Sequence, residues 1–204
     1  MGIKERKERD AHRMRQRILE VAMDMFAAGG YQGVSMRRIA DRIEYSTGTI
    51  YRYFEKKDDI MLQLCYQGFE KLLAIQYALD KIADPVERIK TGGRHYVTFA
   101  LENPELYELM FGTKEIIKQP DGAEQTVALK SLKKFVEHVH QCMAAGFFSG
   151  GDAETLAVAL WAALHGLSSL LIKEQLRFLP EDKVDQVVEK ALAFTLRGGG
   201  KDLS

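Results

Sequence analysis

Residues 46–57 bring together small, hydroxyl, aromatic and basic side chains in a pattern suited to binding a nucleic acid. Hydroxyl and guanidinium groups can bond the edges of base pairs, and lysine and arginine neutralise phosphates. Ile50 and Phe54 are apolar and lie four positions apart, so helical spacing turns both of them away from the polar positions. We therefore predict a DNA-facing surface formed by Ser46, Thr47, Gly48, Thr49, Tyr51, Arg52, Tyr53, Lys56 and Lys57.

Positive charge is concentrated in the same part of the chain. The protein has 204 residues with 29 basic and 29 acidic side chains, a formal net charge of +0. Residues 1–57 hold 13 Lys and Arg against 8 Asp and Glu, a net of +5, which leaves −5 for the remainder. The basic run from Lys4 to Arg17 is either a disordered arm or the solvated start of a helix. The asymmetry favours a polyanion-facing segment on an acidic body, although a solvated charged face would give the same count.

Helices must position these side chains. Apolar spacing of three and four residues predicts helices over about 10–28, 36–43, 47–54 and 59–79. Gly29-Gly30 stops the first helix, and Ser35, Ser46 and Asp58 are the predicted N-caps of the other three. Two short helices separated by a tight turn have the dimensions of a helix-turn-helix, whose second helix enters the major groove.

The rest of the sequence is also helical in pattern. Further helices are predicted over about 85–102, from Asn103-Pro104, over about 123–147, from Asp152 and from Pro180. Residues 113–122 carry a turn signal, and no segment alternates as a strand does. The predicted fold is all-α with about nine helices: an N-terminal three-helix helix-turn-helix DNA-binding domain and a helical ligand-binding and dimerisation domain.

Residues 18–64 carry a long and specific string of motif positions. The stretch reads ILEVAMDMFAAGGYQGVSMRRIADRIEYSTGTIYRYFEKKDDIMLQL. It contains A-x-x-x-F-x-x-x-G-Y-x-G-V-S, then R-x-I-A, then S-x-G-T-I-Y-x-Y-F-x-x-K-x-D. This string resembles the DNA-binding domain of the tetracycline-repressor (TetR) family over nearly 50 residues without a gap.

The resemblance implies a role for each matching residue. Arg37, Thr47 and Gly48 match positions at which the family faces the bases. Thr49, Tyr51 and Tyr53 match positions that contact the DNA backbone or the bases. Tyr51 and Lys57 match positions that contact phosphate. At Glu44 the sequence departs from the family, whose members usually place glycine in that turn. If the backbone is left-handed there, glutamate costs on the order of 1 kcal/mol.

The C-terminal part carries a second, shorter resemblance. Trp161, His165 and Gly166 form W-x-x-x-H-G, and residues 103–111 read NPELYELMF. Both resemble the WHG class of TetR-family C-terminal domains, which implies an effector domain whose last two helices form the four-helix bundle of a dimer. The predicted domains are 1–57 (arm and helix-turn-helix), 58–79 (connecting helix) and 80–204 (ligand binding and dimerisation).

An effector pocket is predicted between the helices of the C-terminal domain. Polar groups are few there, which favours a small apolar ligand. Aromatic residues at helical spacing are also common in an ordinary core, so core packing remains the alternative for each position. The candidate lining residues are Tyr96, Phe99, Tyr107, Met110, Phe111, Phe135, His138, Val139, Trp161 and His165.

Several functional classes find no support in the sequence. Residues 80–197 lack G-x-S-x-G, a P-loop and G-x-G-x-x-G, so we expect no enzyme and no cofactor. His138 and Cys142 lie four positions apart but lack the further ligands of a metal site, so we expect no metal. The apolar run 156–172 is short for a membrane span and predicts a buried helix. The N-terminus lacks a secretory signal, and we expect a cytoplasmic protein.

These observations predict a ligand-responsive transcriptional repressor. We expect a homodimer that binds a palindromic operator in double-stranded DNA and releases it when a small hydrophobic effector binds. Two alternatives stay open: an all-helical enzyme that carries a helix-turn-helix, and an architectural DNA-binding protein without an effector.

Overall fold

The computed structural model describes residues 2–112, 126–148 and 151–198. In these ranges the chain forms nine α-helices, one short 3₁₀ turn and no strand, which confirms the all-α prediction. The α-helices are α1 Ile3–Gly33, α2 Met36–Ile43, α3 Thr47–Tyr51, α4 Lys57–Leu79, α5 Pro85–Glu102, α6 Pro104–Gly112, α7 Val127–Ala144, α8 Ala153–Ile172 and α9 Val184–Gly198, and the 3₁₀ turn is Glu181–Lys183. The predicted turn at 113–122 lies outside the described residues.

The chain divides into two compact units. Unit 1 comprises Met1–Gly68 and Glu105–Asp121, and unit 2 comprises Phe69–Pro104 and Gly122–Ser204. Helix α4 contributes its first part to unit 1 and its last part to unit 2. Because Glu105–Asp121 groups with the N-terminal residues, the units do not follow the domain ranges expected from the sequence, and those functional ranges stay a prediction.

Unit 1 has a continuous apolar core. Helices α1 to α4 each contribute buried residues to it, and α6 adds Leu109. The predicted inward positions Ile18, Ala22, Ile39 and Ile50 are each fully buried. The three- and four-residue spacing of these residues places them on single helix faces, so the helices close around one core.

Side-chain caps fix the starts of α2, α3, α5 and α8 where the sequence predicts them. The Ser35 hydroxyl accepts a hydrogen bond from the Arg38 N–H at 3.2 Å at the start of α2. Asp84 caps α5 by accepting from the Val86 N–H at 2.9 Å, and Asp152 caps α8 by accepting from the Thr155 N–H at 2.8 Å. Each cap satisfies an N–H group that has no partner inside its helix.

Four helix starts differ from the prediction: α7 begins at Val127 rather than near residue 123, α9 begins at Val184 rather than at Pro180, and α1 and α4 differ as follows. Helix α1 begins at Ile3 rather than near residue 10, so the basic run from Lys4 to Arg17 is helical; the Gly2 N–H is held by Glu5 Oε2 at 2.9 Å. Helix α4 begins at Lys57, and the Asp59 carboxylate, rather than that of Asp58, accepts from the Lys56 N–H at 3.1 Å. Local composition does not distinguish these adjacent candidates.

Three helix ends also differ in detail: α7 ends at Ala144 rather than near residue 147, and α1 and α3 differ as follows. The predicted stop at Gly29-Gly30 is a kink, because Gly30 adopts φ 61°, a conformation that favours glycine, and the chain then resumes one helical turn up to Gly33. Helix α3 ends at Tyr51 rather than at residue 54, and the N–H groups of Tyr53 and Phe54 both reach the Ile50 carbonyl.

Unit 2 packs α5, α7, α8 and α9 together. Gly93 of α5 lies so close to Leu192 of α9 that a β-carbon at this position would overlap the leucine side chain. Helix α8 is long and apolar enough to cross a bilayer by length and composition, and 22% of its most apolar window is buried. Within this chain, α8 is therefore buried on one face only, and the prediction of a buried helix holds for that face.

Candidate DNA-binding surface

The turn between α2 and α3 has the geometry of a Schellman motif. The Tyr45 N–H donates to the Ala40 carbonyl at 3.0 Å, and the Glu44 N–H donates to the Asp41 carbonyl at 3.3 Å. Glu44 is left-handed, with φ 62° and ψ 41°. Glutamate therefore adopts the conformation for which the family usually has glycine, and the helix-turn-helix keeps its turn.

The apolar residues of this motif point inward and the polar residues point outward. Ile50 and Phe54 are buried in the core of unit 1, as expected. Thr47 and Thr49 are both half-buried. The exposed residues among the predicted DNA contacts include Arg37, Ser46, Gly48, Tyr51, Arg52 and Lys56.

The three arginines of α2 differ in what they contact. Arg38 Nη1 donates to the Gly33 carbonyl at 2.6 Å, and Arg42 pairs with Asp24 at 3.3 Å. Arg37 is exposed at the start of the helix. All three arginines are exposed, and two of them fasten α2 to α1. Arg37 lies on the surface, as a base-contacting residue must.

Ser46 has a structural role beside its predicted role on DNA. Its hydroxyl accepts from the Thr49 N–H at 3.2 Å and lies 3.0 Å from the Thr49 hydroxyl. Ser46 is thus the N-cap of α3, as the sequence predicts. The same two hydroxyl groups that fix the start of α3 lie at the surface predicted for DNA.

The two tyrosines after Ile50 differ in exposure. Tyr51 is 54% exposed, which agrees with the outward orientation expected for it. Tyr53 is half-buried and packs against the core of unit 1, so its expected exposure is wrong in part. The reason is that α3 ends at Tyr51, and the turn that follows directs the Tyr53 ring back toward the protein.

The start of α4 is fastened to the end of α1 through Tyr31. Lys57 Nζ donates to the Tyr31 carbonyl at 3.2 Å and lies 3.8 Å from the centre of the Tyr31 ring. The Tyr31 hydroxyl donates to Asp58. Lys57, the predicted phosphate contact, is therefore half-buried against an aromatic ring, whereas its neighbour Lys56 is exposed.

Arg15 belongs to this site by geometry, and sequence reasoning missed it. Its Nη1 donates to the Tyr53 carbonyl at 3.0 Å, and its guanidinium lies 4.2 Å from the centre of the Phe54 ring. The one signal available in the sequence was its spacing, since Arg15 precedes Ile18 and Ala22 by three and seven positions and so shares the buried face of α1.

The predicted ligand-binding residues divide between the two units. Unit 1 contains Tyr107 and Met110, which are buried, and Phe111, which is half-buried with its ring 4.8 Å from that of Tyr107. Unit 2 contains the other candidates. Among these, Phe99 and Val139 are buried, and Phe135 is half-buried.

A polar cluster joins α5 and α8 in unit 2. Trp161 Nε1 donates to the Tyr96 hydroxyl at 3.0 Å, and the same hydroxyl lies 3.5 Å from His165 Nδ1. All three side chains are half-buried, and burial, followed by the charge of Lys173, lowers the pKa of His165. These are the predicted lining residues that combine an aromatic surface with hydrogen-bonding groups.

A second polar cluster joins the end of α4 to α7. His138 is buried and its Nε2 lies 2.8 Å from Asp80 Oδ1, while Lys134 Nζ lies 2.9 Å from Asp80 Oδ2. Hydrogen bonds from Lys134 and then from His138 lower the pKa of Asp80, and burial lowers the pKa of His138. The predicted lining residue His138 is thus engaged in holding two helices together.

Two family models match this chain. Residues 89–195, more than half of the chain, match "Tetracyclin repressor-like, C-terminal domain", and residues 18–64 match "Bacterial regulatory proteins, tetR family". The second range is the one that carries the resemblance recognised in the sequence. Whether the C-terminal domain is of the WHG class stays a prediction.

A curated relative and two solved structures agree with these matches. The HTH-type transcriptional repressor KstR of Rhodococcus jostii is 36% identical over 58 residues, which are 28% of this chain, and the chain spans about a quarter, 27%, of that relative's length. A solved structure of a protein of unknown function from Rhodococcus sp. RHA1 has a TM-score of 0.76 at 28% identity and covers 92% of this chain and 95% of its own. PfmR, a TetR-family regulator from Thermus thermophilus, shares the fold, with a TM-score of 0.68 at 22% identity over 89% of this chain and 98% of its own.

Three observations lead to one assignment: the helix-turn-helix geometry, the exposed polar residues around α3, and the match of a C-terminal family model over half of the sequence. This chain belongs to the TetR family of DNA-binding transcriptional regulators.

Proposed function

We propose that this regulator is a homodimeric repressor that binds a palindromic operator and releases it when a small apolar molecule binds its C-terminal domain. In this proposal the chain is not an enzyme, needs neither cofactor nor metal, and works in the cytoplasm without a membrane partner. The observation that carries the DNA-binding part is the exposure of Arg37, Gly48 and Tyr51 on a helix-turn-helix whose apolar residues are buried.

The homodimer is supported by the surface of α8 and α9. Val158 and Leu170 of α8 are 49% and 40% exposed, and Phe194 of α9 is 81% exposed. Between Val158 and Leu170, the exposed residues Ala162 and Ala163 leave room for a second helix to approach closely. In a two-fold symmetric dimer, this apolar face of one copy would pack against the same face of the second copy, and both faces would be covered.

The effector is supported by the cluster of Tyr96, Trp161 and His165. The cluster offers aromatic surface together with three hydrogen-bonding groups, a combination typical of sites for small, mainly apolar ligands. Burial lowers the pKa of His165 and so favours the neutral imidazole, which suits an uncharged ligand. The ligand must bind the DNA-incompetent state better than the competent one for release to follow.

A selection and binding experiment tests the DNA-binding part. A random pool of duplexes is selected with the wild-type protein, and fluorescence anisotropy then gives the affinity for the enriched duplex. Tyr51→Ala should weaken binding to every sequence, whereas Arg37→Ala should alter the sequence preference. Tyr77→Ala is the matched control, because Tyr77 is 56% exposed but lies in unit 2. Equal losses for Tyr51→Ala and Tyr77→Ala would contradict the placement of α3 on DNA.

Sedimentation tests the dimer. Ala162→Glu puts a charge on the exposed face of α8 and should give a monomer of about 23.1 kDa at micromolar concentration, where the wild type is a dimer. Ala144→Glu is the control, since Ala144 is exposed at the end of α7. A wild-type monomer, or an Ala162→Glu dimer of unchanged affinity, would refute the α8 interface.

A panel of hydrophobic small molecules tests the effector. A compound that raises the melting temperature of the protein should also release the selected duplex, and Tyr96→Phe should weaken both effects by removing the hydroxyl at the centre of the cluster. Tyr66→Phe is the control. A compound that binds stoichiometrically and leaves the affinity for DNA unchanged would refute the coupling.

A further inference from the structure

Arg15 is the point at which three elements of unit 1 meet. It lies on α1, its Nη1 donates to the Tyr53 carbonyl at 3.0 Å, and its Nη2 donates to Gln63 Oε1 on α4 at 3.4 Å. The guanidinium also lies 4.2 Å from the centre of the Phe54 ring. One side chain therefore contacts two consecutive residues of the segment 52–56, which connects α3 to α4.

The position of Arg15 on its helix sets it apart from the arginines around it. Ile18, Leu19 and Ala22 follow it by three, four and seven residues and are buried, so Arg15 shares the face of α1 that packs on the core. Arg13 and Arg17 are exposed, whereas Arg15 is half-buried and hydrogen-bonded to two other elements. Arg15 is thus directed into the protein and not out toward a polyanion.

The connecting segment 52–56 has little regular structure of its own to hold it. Helix α3 has five residues and ends at Tyr51, and α4 begins at Lys57. Phe54 is 3% exposed and anchors the middle of the segment in the core, with the guanidinium against its ring. Arg52 and Lys56, on either side of this anchor, are exposed and are predicted to reach DNA.

We propose that Arg15 is a positioning residue for DNA binding: it fixes the segment 52–56, and with it Arg52, Lys56 and the end of α3, without touching DNA itself. The proposal rests on the proposed placement of residues 46–57 on the operator. It adds a residue outside the helix-turn-helix, 38 positions away from the carbonyl that it holds.

The chemistry of the contact requires arginine. A planar guanidinium can donate to two acceptors in fixed directions while its face lies against an aromatic ring. Lysine has the same charge but cannot do all three at once. Arg15 could act through its charge, by attracting phosphate, or through its geometry, by holding the connecting segment. Arg15→Lys separates these two modes, because it keeps the charge and loses the geometry of the guanidinium.

The first test measures affinity for the duplex selected by the wild-type protein over a series of KCl concentrations. We expect Arg15→Gln and Arg15→Lys each to weaken binding by about tenfold, the affinity equivalent of one lost charge-assisted hydrogen bond, with the salt slope of the wild type. Arg17→Gln is the matched control, since it removes the same charge from a neighbouring site, and any loss that it causes should come with a smaller slope.

Three results would overturn the proposal. Unchanged affinity in Arg15→Gln would show that the contact does not matter for binding. Wild-type affinity in Arg15→Lys would show that charge alone is needed. A salt slope reduced by about one in Arg15→Gln would show that Arg15 itself meets a phosphate.

The second test needs no DNA. Trypsin cuts after Arg52, Lys56 and Lys57. Loss of the Arg15 hydrogen bonds should raise the population of the open segment, and with it the cleavage rate there, by about tenfold in the free protein, with cleavage elsewhere unchanged. Arg15→Met keeps the apolar stem over Phe54 and serves where Arg15→Gln fails to fold. If the wild type selects no duplex, the proposed function fails. Faster cleavage at 52–57 in the Arg15 variant than in the wild type would still support the anchoring by Arg15. Equal cleavage in the two proteins would overturn it.

Discussion

Unit 1 and unit 2 differ in which polar side chains they bury and which apolar side chains they expose. Among the described residues, the buried polar side chains are Ser131, His138 and Ser168, and all three lie in unit 2. In the described part of unit 1 the exposed large hydrophobic residues are Tyr45 and Tyr51, both of which carry a hydroxyl group. In unit 2 the corresponding set is Tyr77, Leu101, Val158, Leu170, Phe178 and Phe194.

This difference shows which unit is complete by itself. Unit 1 buries its apolar residues within one chain and presents hydroxyl and basic groups to solvent, which suits a polar partner such as DNA. Unit 2 leaves aliphatic and phenylalanine side chains exposed, which is the surface that the proposed homodimer would cover. It also buries Ser168, whose hydroxyl has no hydrogen-bond partner among the described residues, at a cost in stability.

The largest expected effect concerns the core of unit 1. Ile50→Ala should lower the free energy of unfolding by about 2–5 kcal/mol, because Ile50 is fully buried and its loss leaves a cavity. The adjacent Tyr51→Ala, at a residue 54% exposed, should change it by less than about 0.5 kcal/mol. Denaturant unfolding measures both. Equal effects at the two positions would show that α3 is oriented differently from the structure.

The next effect concerns the buried polar cluster of unit 2. His138→Ala should cost about 1–3 kcal/mol of stability, because it truncates a buried imidazole and removes its hydrogen bond to the exposed Asp80, which keeps Lys134 as a partner. His140→Ala is the matched control on the same helix, since His140 is exposed. If the two variants unfold at the same denaturant concentration, the contact between His138 and Asp80 contributes nothing to stability.

A smaller effect is the dependence of stability on pH. Burial lowers the pKa of His138 below its ordinary 6.5 despite the opposing effect of Asp80, and the charges of Lys134 and Arg88 lower it further. The unfolded chain then binds a proton more readily than the folded one, so stability should fall as the pH drops below about 6.5, by at most about 1.4 kcal/mol per pH unit for one proton.

His138→Gln should reduce this slope without abolishing it. Burial also lowers the pKa of His165, which contributes in the same direction. Asp80 adds a separate loss at lower pH, because its pKa is lowered from 3.8 and the stability that it contributes is lost as the pH falls below that value. Thermal melts between pH 5 and 7.5 measure the slope, and an identical slope in His138→Gln would contradict the contribution of His138.

The smallest expected effect is at the turn of the helix-turn-helix. With φ 62° at Glu44, glycine adopts the backbone without strain and alanine adopts it with strain, so Glu44→Gly should be more stable than Glu44→Ala by about 1 kcal/mol. Comparing these two variants isolates the backbone, because both lack the carboxylate. Equal melting temperatures would mean that the turn holds no backbone strain.

The helices of this protein could be predicted because their signals are local. Ser35, Ser46, Asp84 and Asp152 each cap a helix with an N–H two or three residues away. Apolar spacing within one helix likewise marks which face is buried. Errors occurred where two local signals compete, as at Asp58 and Asp59, or where no signal marks a boundary, as at the start of α1.

The sequence by itself determined the all-α fold, the helix-turn-helix and the family, because caps, periodicity and a contiguous motif all operate over a few residues. Only the tertiary structure decided that Arg15 holds the Tyr53 carbonyl across 38 positions and that His138 meets Asp80 across 58. It also decided that Tyr53 turns inward. Such contacts depend on how helices pack, and packing brings together residues that no sequence spacing relates.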